Sequence, residues 1–162
     1  IVMVDVLALA GLYTIRIVAG SAAAGIPLSF WLLIFAIFIF LSLAIVKRYA
    51  ELHAVREQGK AMAKGRGYEV DDMHLLQSLG AASGYLSILV LGLYINTPDK
   101  ALLYTHPKYM WLLVPIMLYW ISRVWMLTHR GKMHDDPLVY ALKDPASLAT
   151  GLAAAITLVM AA

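Results

Sequence analysis

Two cations and a carboxylate stand together where an apolar run ends, in the stretch LSLAIVKRYAEL at residues 41–52. If a helix continues through this stretch, Lys47 and Glu51 are four residues apart, Arg48 and Glu51 are three apart, and all share one face. Such cations could neutralise phosphate oxygens, and Glu51 could hold a cation or a substrate hydroxyl. The alternative is an ordinary salt bridge at a helix end whose basic side chains reach the lipid headgroups.

Further ionisable residues lie inside or next to apolar runs. Arg16 lies within the first apolar run, where a charge costs about 2.5–3.5 kcal/mol at the centre of a helix. It therefore faces a cavity or partner, or it extends to the outer headgroups. Asp5 lies eleven residues earlier, ~16 Å along a helix, so we expect it at the cytoplasmic mouth and not paired with Arg16. Arg123, two turns before Arg130, either extends to the headgroups or contacts substrate.

The stretch THRGKMHDDP, residues 128–137, contains four side chains whose type could bind a divalent ion: His129, His134, Asp135 and Asp136. The glycine-containing stretch between the two histidines implies no ligand geometry. Two other interpretations remain open. Asp136 could precede a short helix that begins with proline, or the loop could cover a substrate through Arg130 or Asp135.

The composition indicates which environment must position these residues. The chain of 162 residues is 62% hydrophobic and 14% charged, with mean hydropathy +0.76, whereas globular domains have roughly a quarter charged residues. This indicates a membrane protein that binds a lipid bilayer and no nucleic acid. The absence of cysteine excludes disulfides and thiolate metal sites.

Five apolar stretches are each near the ~20 residues that cross ~30 Å of hydrocarbon as a helix. They cover approximately residues 2–20, 28–47, 74–95, 109–127 and 146–162. The sequence therefore predicts an all-α, polytopic transmembrane helix bundle.

Local signals refine the ends and contacts of these helices. The second helix should continue through 47–58, because Gly59 is the next glycine or proline. Asp71 or Asp72 should cap the third helix. The small residues of GAASG, residues 80–84, predict a close contact between helices.

Lysine and arginine concentrate in the connections 48–72 and 128–145, which the positive-inside rule places in the cytoplasm. The connections near 21–27 and 96–108 then face outward. The chain begins in an apolar run without an initiator methionine, so we expect it to be part of a longer polypeptide.

Three stretches carry a resemblance to a known family: AGLYTIRIVAGSAAAGIPLSFWLL, LSLAIVKRYAEL and YWISRVWMLTHRGKMHDDPLVYALKD. They resemble the C-terminal part of the UbiA superfamily of intramembrane prenyltransferases. The nearest branch is bacterial, is related to polyprenyl-phosphate phosphoribosyltransferases and is often fused to a haloacid-dehalogenase-type domain. This resemblance implies the bacterial inner membrane as the location. The resemblance implies that residues 1–162 are five helices of a nine-helix domain whose first half, with an Asn/Asp-rich Mg²⁺ motif, lies upstream.

The resemblance also implies roles for the charged residues. The family's second motif usually has two aspartates, and the matching positions here are Lys47 and Glu51, which would be catalytic, with Glu51 a Mg²⁺ ligand. The remaining residues implied to bind substrate are Arg48, Arg16, Arg123, Arg130 and Asp135. Because Lys47 and Arg48 replace a carboxylate, we expect phosphate to bind directly to a positively charged site.

The implied activity is a transferase acting on a polyprenyl phosphate or diphosphate together with a diphosphate-bearing co-substrate, with Mg²⁺ assisting departure of the diphosphate. Either a lipid diphosphate donates its prenyl group, or a phosphoribosyl diphosphate donates to a polyprenyl phosphate. The alternative is a noncatalytic membrane subunit or a truncated relic. A transporter ranks third, because the sequence shows no repeated halves.

Overall fold

The computed structural model consists of α-helices joined by short connections, and it describes residues 1–61, 65, 67–98, 103–134 and 136–162. Within these ranges the α-helices, numbered in chain order, are α1 (Val4–Ala24), α2 (Phe30–Glu57), α3 (Met73–Ile95), α4 (Leu113–His129), α5 (Pro137–Lys143) and α6 (Pro145–Ala161). Two 3₁₀ helices lead into α3 and α4: Val70–Asp72 and Pro107–Leu112. The helical architecture confirms the predicted fold class.

Four helical segments of the described chain are long and apolar enough to cross a membrane: Val4–Ala24, Phe30–Glu57, Val70–Ile95 and Pro107–His129. A fifth is present if α5 and α6, bent by 83° at their junction, count as one span. The 17 residues of α6 rise only ~26 Å against the ~30 Å of hydrocarbon. The predicted span at 146–162 therefore corresponds to α6 alone, because α5 runs almost at right angles to it.

The centre of the bundle is α2, which packs against α1 on one side and α3 on the other. Leu43, Ala44, Ile45 and Val46 follow one another in the chain and are all buried, so α2 is covered on every face at this level. Its 28 residues rise ~42 Å, more than the hydrocarbon thickness. The predicted continuation of this helix after Lys47 is confirmed, and it extends to Glu57.

The predicted close contact at GAASG is confirmed and involves α4. A Cβ atom at Gly80 would lie 2.1 Å from Cζ2 of Trp125, and one at Gly84 would lie 2.6 Å from Cγ1 of Ile121. Trp125 Nε1 donates to Ser42 Oγ at 3.0 Å, and that hydroxyl donates to the carbonyl oxygen of Gly80 at 2.7 Å. Glycine thus brings α2, α3 and α4 together near this level.

Two predicted boundaries differ from the structure. The first helix continues to Ala24 and ends at Gly25, whose φ is +66°, because alanines favour helix more strongly than the adjoining turn signal indicates. Asp72 does occupy the residue before α3, but its carboxylate accepts a hydrogen bond from the backbone N–H of Glu69 at 2.9 Å. Its side chain thus closes the preceding 3₁₀ turn and does not cap α3.

The start of α1, the end of α2, the start of α3 and the end of α4 lie at one end of the bundle, which we call the charged end. Asp5 pairs there with Arg48, and His129 Nδ1 lies 3.2 Å from Gln77 Oε1. At the opposite end the backbone N–H of His106 donates to the carbonyl oxygen of Ala161 at 2.9 Å. The helices therefore alternate in direction, as the predicted spans require.

Candidate functional site

A cavity of about 280 Å³ opens at the charged end, between the last turns of α2 and the segment that precedes α5. Its polar lining residues are Lys47, Glu51, His53, Glu57, His134 and Asp136. The volume lies near the lower limit of small-ligand sites. A cavity of this size can hold a phosphate group together with part of a sugar.

The lining of this cavity is not dominated by cations. Among the described residues it contains three carboxylates, those of Glu51, Glu57 and Asp136, and one lysine. The histidines His53 and His134 add positive charge only when protonated. This balance differs from the positively charged site expected from adjacent Lys47 and Arg48. Glu57 lies further along α2, Asp136 comes from a distant part of the sequence, and Arg48 does not line the cavity.

Lys47 forms an ion pair with Asp136, with 3.0 Å between Nζ and Oδ2. The other carboxylate oxygen of Asp136 accepts a hydrogen bond from the backbone N–H of Leu138 at 3.0 Å and caps α5. The interpretation of Asp136 as the residue before a short helix that begins with proline is therefore confirmed. Lys47 and Asp136 also line a narrow apolar crevice, together with Leu9 and Phe40. The ion pair thus stands between the polar cavity and the apolar interior.

Arg48 is buried and forms ion pairs with two carboxylates. Its Nη1 donates to Glu51 and its Nη2 to Asp5. The guanidinium carbon also lies 5.4 Å from the ring centroid of Tyr68. Glu51 lines the cavity, whereas Arg48 and Asp5 do not. The charge of Arg48 therefore compensates the two carboxylates and does not face the cavity.

Tyr68 belongs to the polar connection between α2 and α3, yet it is fully buried. Its hydroxyl donates to Asp5 Oδ1 at 2.7 Å and accepts from the backbone N–H of Met3 at 2.7 Å. Burial raises the pKa of Tyr68 above its ordinary value, and its hydrogen bond to Asp5 raises it further. The hydroxyl is therefore protonated at neutral pH and can donate to Asp5 throughout the physiological range.

The other predicted substrate-binding residues lie away from this cavity. Arg16 is on an exposed part of α1, with its guanidinium carbon 5.4 Å from the ring centroid of Tyr13. Arg123 is bound to Asp144 through distances of 2.5 Å and 3.1 Å, and this pair joins α4 to the α5–α6 junction. Arg130 is exposed just after α4. Asp135 lies outside the described residues.

The donor groups that the structure describes do not by themselves form a Mg²⁺ site. Among the described residues there is no group of three or more His, Asp or Glu side chains that could hold a metal ion. Asp5 and Glu51 bind Arg48, and Asp136 binds Lys47. His129 lies beside Gln77, at 3.2 Å, and does not line the cavity. The implied role of Glu51 as a metal ligand therefore stays a prediction.

Several residues of the site were not predicted from the sequence. Helical spacing could have indicated two of them, His53 and Glu57, because they are four residues apart on the continued part of α2. Gly131 has a φ of +71°, and a Cβ atom there would lie 2.5 Å from Cε1 of His53, so glycine permits this close approach. Tyr68 is 63 residues from Asp5, and no local pattern predicts that contact.

The fold and the cavity define a polytopic, α-helical membrane protein with a polar site at one end of its bundle. No family model and no solved structure matches the chain. It is 35% identical over 162 residues to the protein y4nM of Sinorhizobium fredii, covering 99% of this chain and 31% of that protein. It is 36% identical over 160 residues to the nodulation protein NoeC of Azorhizobium caulinodans, covering 97% of this chain and 51% of that protein.

A shorter match relates part of the chain to an enzyme. Over 62 residues the chain is 40% identical to the decaprenyl-phosphate phosphoribosyltransferase of Mycobacterium tuberculosis, covering 38% of this chain and 20% of that protein. The chain thus spans about half or less of the length of each of these relatives. The similarity to a transferase is therefore partial.

Proposed function

We propose that the chain is part of a UbiA-type membrane transferase that acts on a polyprenyl phosphate or diphosphate. The observation that carries the proposal is the cavity at the charged end, where Lys47 and Glu51 face one polar space beside an apolar crevice. The partial similarity to a decaprenyl-phosphate phosphoribosyltransferase supports it. That the chain forms the C-terminal part of one such domain, in a bacterial inner membrane, stays a prediction.

The lining of the cavity favours phosphoribosyl transfer over transfer of a prenyl group to an aromatic acceptor. Glu51, Glu57 and Asp136 are hydrogen-bond acceptors, which suit the hydroxyl groups of a sugar and offer an aromatic ring little contact area. The polar lining is continuous with Lys47, a partner for phosphate oxygens. We therefore propose that a phosphoribosyl diphosphate is the donor and a polyprenyl phosphate the acceptor.

In this reaction an oxygen of the lipid phosphate forms a bond to the anomeric carbon of the ribose, and the bond from that carbon to the diphosphate breaks. The bonding electrons leave with the diphosphate, so negative charge grows on its oxygens. The ammonium group of Lys47 would stabilise that charge once it leaves Asp136. Glu51 would accept a hydrogen bond from a ribose hydroxyl and hold the sugar in line for attack.

Membranes that contain the complete gene product provide the test. Label from phosphoribosyl diphosphate should enter the lipid extract when polyprenyl phosphate is supplied, and omission of Mg²⁺ tests the predicted metal requirement. Lys47→Ala and Glu51→Gln should each lower turnover about tenfold or more. Lys47→Ala should change thermal stability little, because both members of its ion pair are partly exposed. Glu51→Gln should lower the melting temperature somewhat, because the buried Arg48 loses one of its two anionic partners. Lys108→Ala, an exposed lysine at the opposite end, is the matched control.

Other results would redirect the proposal. Transfer of a prenyl group to an aromatic acceptor, with no label entering lipid from the sugar donor, would favour the prenyltransferase form. Neither transfer would favour the noncatalytic membrane subunit or truncated relic. One observation supports that second candidate: Lys47 and Arg48 are already neutralised by carboxylates of the chain.

A further inference from the structure

The guanidinium of Arg48 is not placed to bind a substrate phosphate in the cavity, because Arg48 is buried and is not among the lining residues. Its Nη atoms bind Asp5 and Glu51, and its Nε is enclosed without a hydrogen-bond partner among the described residues. The whole residue is only 5% exposed. A phosphate could reach this guanidinium only after the two carboxylates moved away, which would leave them without their cation.

Glu51 links this buried arrangement to the cavity. Its side chain is 35% exposed and lines the cavity, while its Oε2 accepts a hydrogen bond from Arg48. A planar guanidinium directs its N–H groups in fixed directions. The carboxylate of Glu51 is therefore oriented by a group that does not itself contact the cavity.

The orientation of Arg48 depends in turn on residues that are far away in the sequence. Asp5 lies on the first turns of α1, 43 residues from Arg48, and binds its second Nη atom. Tyr68 is fully buried and fixes Asp5 by donating to Oδ1 at 2.7 Å. Tyr68 also anchors the start of the chain through the backbone N–H of Met3. The arrangement runs from Tyr68 through Asp5 and Arg48 to Glu51.

We infer that Arg48, Asp5 and Tyr68 are positioning residues that hold the carboxylate of Glu51 in its reactive orientation. The inference rests on the proposed function, in which Glu51 binds the sugar of the donor. It gives Arg48 a role different from the substrate binding that the resemblance implies. It also assigns a role in turnover to the connection between α2 and α3, which contributes Tyr68.

Isosteric variants of the complete gene product test this inference. Tyr68→Phe removes one hydroxyl, and Asp5→Asn replaces one oxygen while keeping the shape of the side chain. Each should lower kcat between about tenfold and a hundredfold, because a small displacement of an aligned group has effects of this size, with KM for the donor nearly unchanged. Tyr109→Phe, at an exposed tyrosine of the opposite end, should leave both constants unchanged.

A double variant separates positioning from general loss of structure. If Tyr68 acts through Glu51, adding Tyr68→Phe to Glu51→Gln should change kcat by less than about twofold, because the oriented carboxylate is already gone. An equal loss of kcat in the wild-type and Glu51→Gln backgrounds would overturn the inference. Unchanged kcat in both Tyr68→Phe and Asp5→Asn would overturn it as well.

A measurement without turnover keeps this test distinct from that of the proposed function. Melting temperatures of Asp5→Asn, Tyr68→Phe and their combination should show coupling, with the double variant no less stable than the weaker single variant. If the wild-type protein shows no transfer activity, the proposed function is refuted. The melting temperatures still test whether Asp5 and Tyr68 are coupled. Additive shifts in melting temperature would then refute the inferred chain of contacts.

Discussion

Replacing Asp136 by asparagine should increase the affinity of the cavity for a phosphate-bearing ligand. In the wild-type structure Asp136 neutralises Lys47 and also caps α5 through the backbone N–H of Leu138. Asparagine caps helices about as well as aspartate does. Asp136→Asn therefore removes the negative charge that competes with phosphate while keeping the cap.

The exposure of the ion pair sets the size of this effect. The side chains of Lys47 and Asp136 are 38% and 26% exposed, so solvent screens the pair and its contribution is about 0.2–1 kcal/mol. A phosphate that displaces Asp136 must overcome this contribution. Since about 1.4 kcal/mol corresponds to a tenfold change in affinity, the variant should bind the phosphorylated donor between about 1.4-fold and fivefold more tightly.

The assay compares KM for the phosphoribosyl donor in Asp136→Asn and wild-type membranes at low and at high salt. The difference should shrink as salt increases, because screening weakens the wild-type ion pair. Asp136→Ala also removes the cap, which contributes about 0.5–2 kcal/mol to stability. The melting temperature of that variant should therefore be lower than that of the wild type. Asp71→Asn, at an exposed carboxylate, controls for the change in net charge. An unchanged or raised KM in Asp136→Asn, at unchanged melting temperature, would refute the reasoning.

Three further predictions concern topology and packing. A cysteine at Lys60 should be protected from an impermeant thiol reagent in intact cells and one at Lys108 should react; labelling of position 60 alone would reverse the predicted orientation. Gly80→Ala should destabilise the bundle by about 1–3 kcal/mol through overpacking, because its Cβ would lie 2.1 Å from an α4 tryptophan. Gly20→Ala meets no atom within 4 Å and should melt no lower than the wild type, because alanine favours a helix interior more than glycine does. Arg123→Met should lower the melting temperature, because it leaves a carboxylate with 12% exposure without its cation; an unchanged melting temperature would show that the pair does not hold α4 to the α5–α6 junction.

The fold could be predicted from the sequence because a membrane helix has a fixed minimum length and a strong hydropathy signal. The continuation of α2 could be predicted equally well, since no glycine or proline interrupts the chain before Gly59. The end of α1 was harder to predict, because Ala22, Ala23 and Ala24 are compatible with both a small-residue turn and a helix. Only the left-handed conformation of Gly25 terminates it.

Within the site, the sequence could predict contacts between neighbours along one helix and not those between helices. The spacing of Arg48 and Glu51 predicts their approach, and the structure contains that ion pair. The partners Asp5 and Asp136 are 43 and 89 residues away from the cations that they bind. Their positions depend on how α1 and α5 pack against α2, which helical spacing does not describe.

This difference changes how the electrostatics of the site should be understood. Adding charges along the sequence gives a positively charged site at Lys47 and Arg48, whereas adding charges in space brings Asp5 and Asp136 beside them. A site of this kind attracts a polyanion only weakly from a distance, because opposite charges in contact cancel each other's field beyond their own separation. Binding of phosphate then depends on exchange, in which an oxygen of the ligand replaces Asp136 at the half-exposed Lys47 while the buried Arg48 keeps its carboxylates. The half-exposed Lys47 can therefore exchange its carboxylate partner for a ligand oxygen, whereas the buried Arg48 keeps its partners.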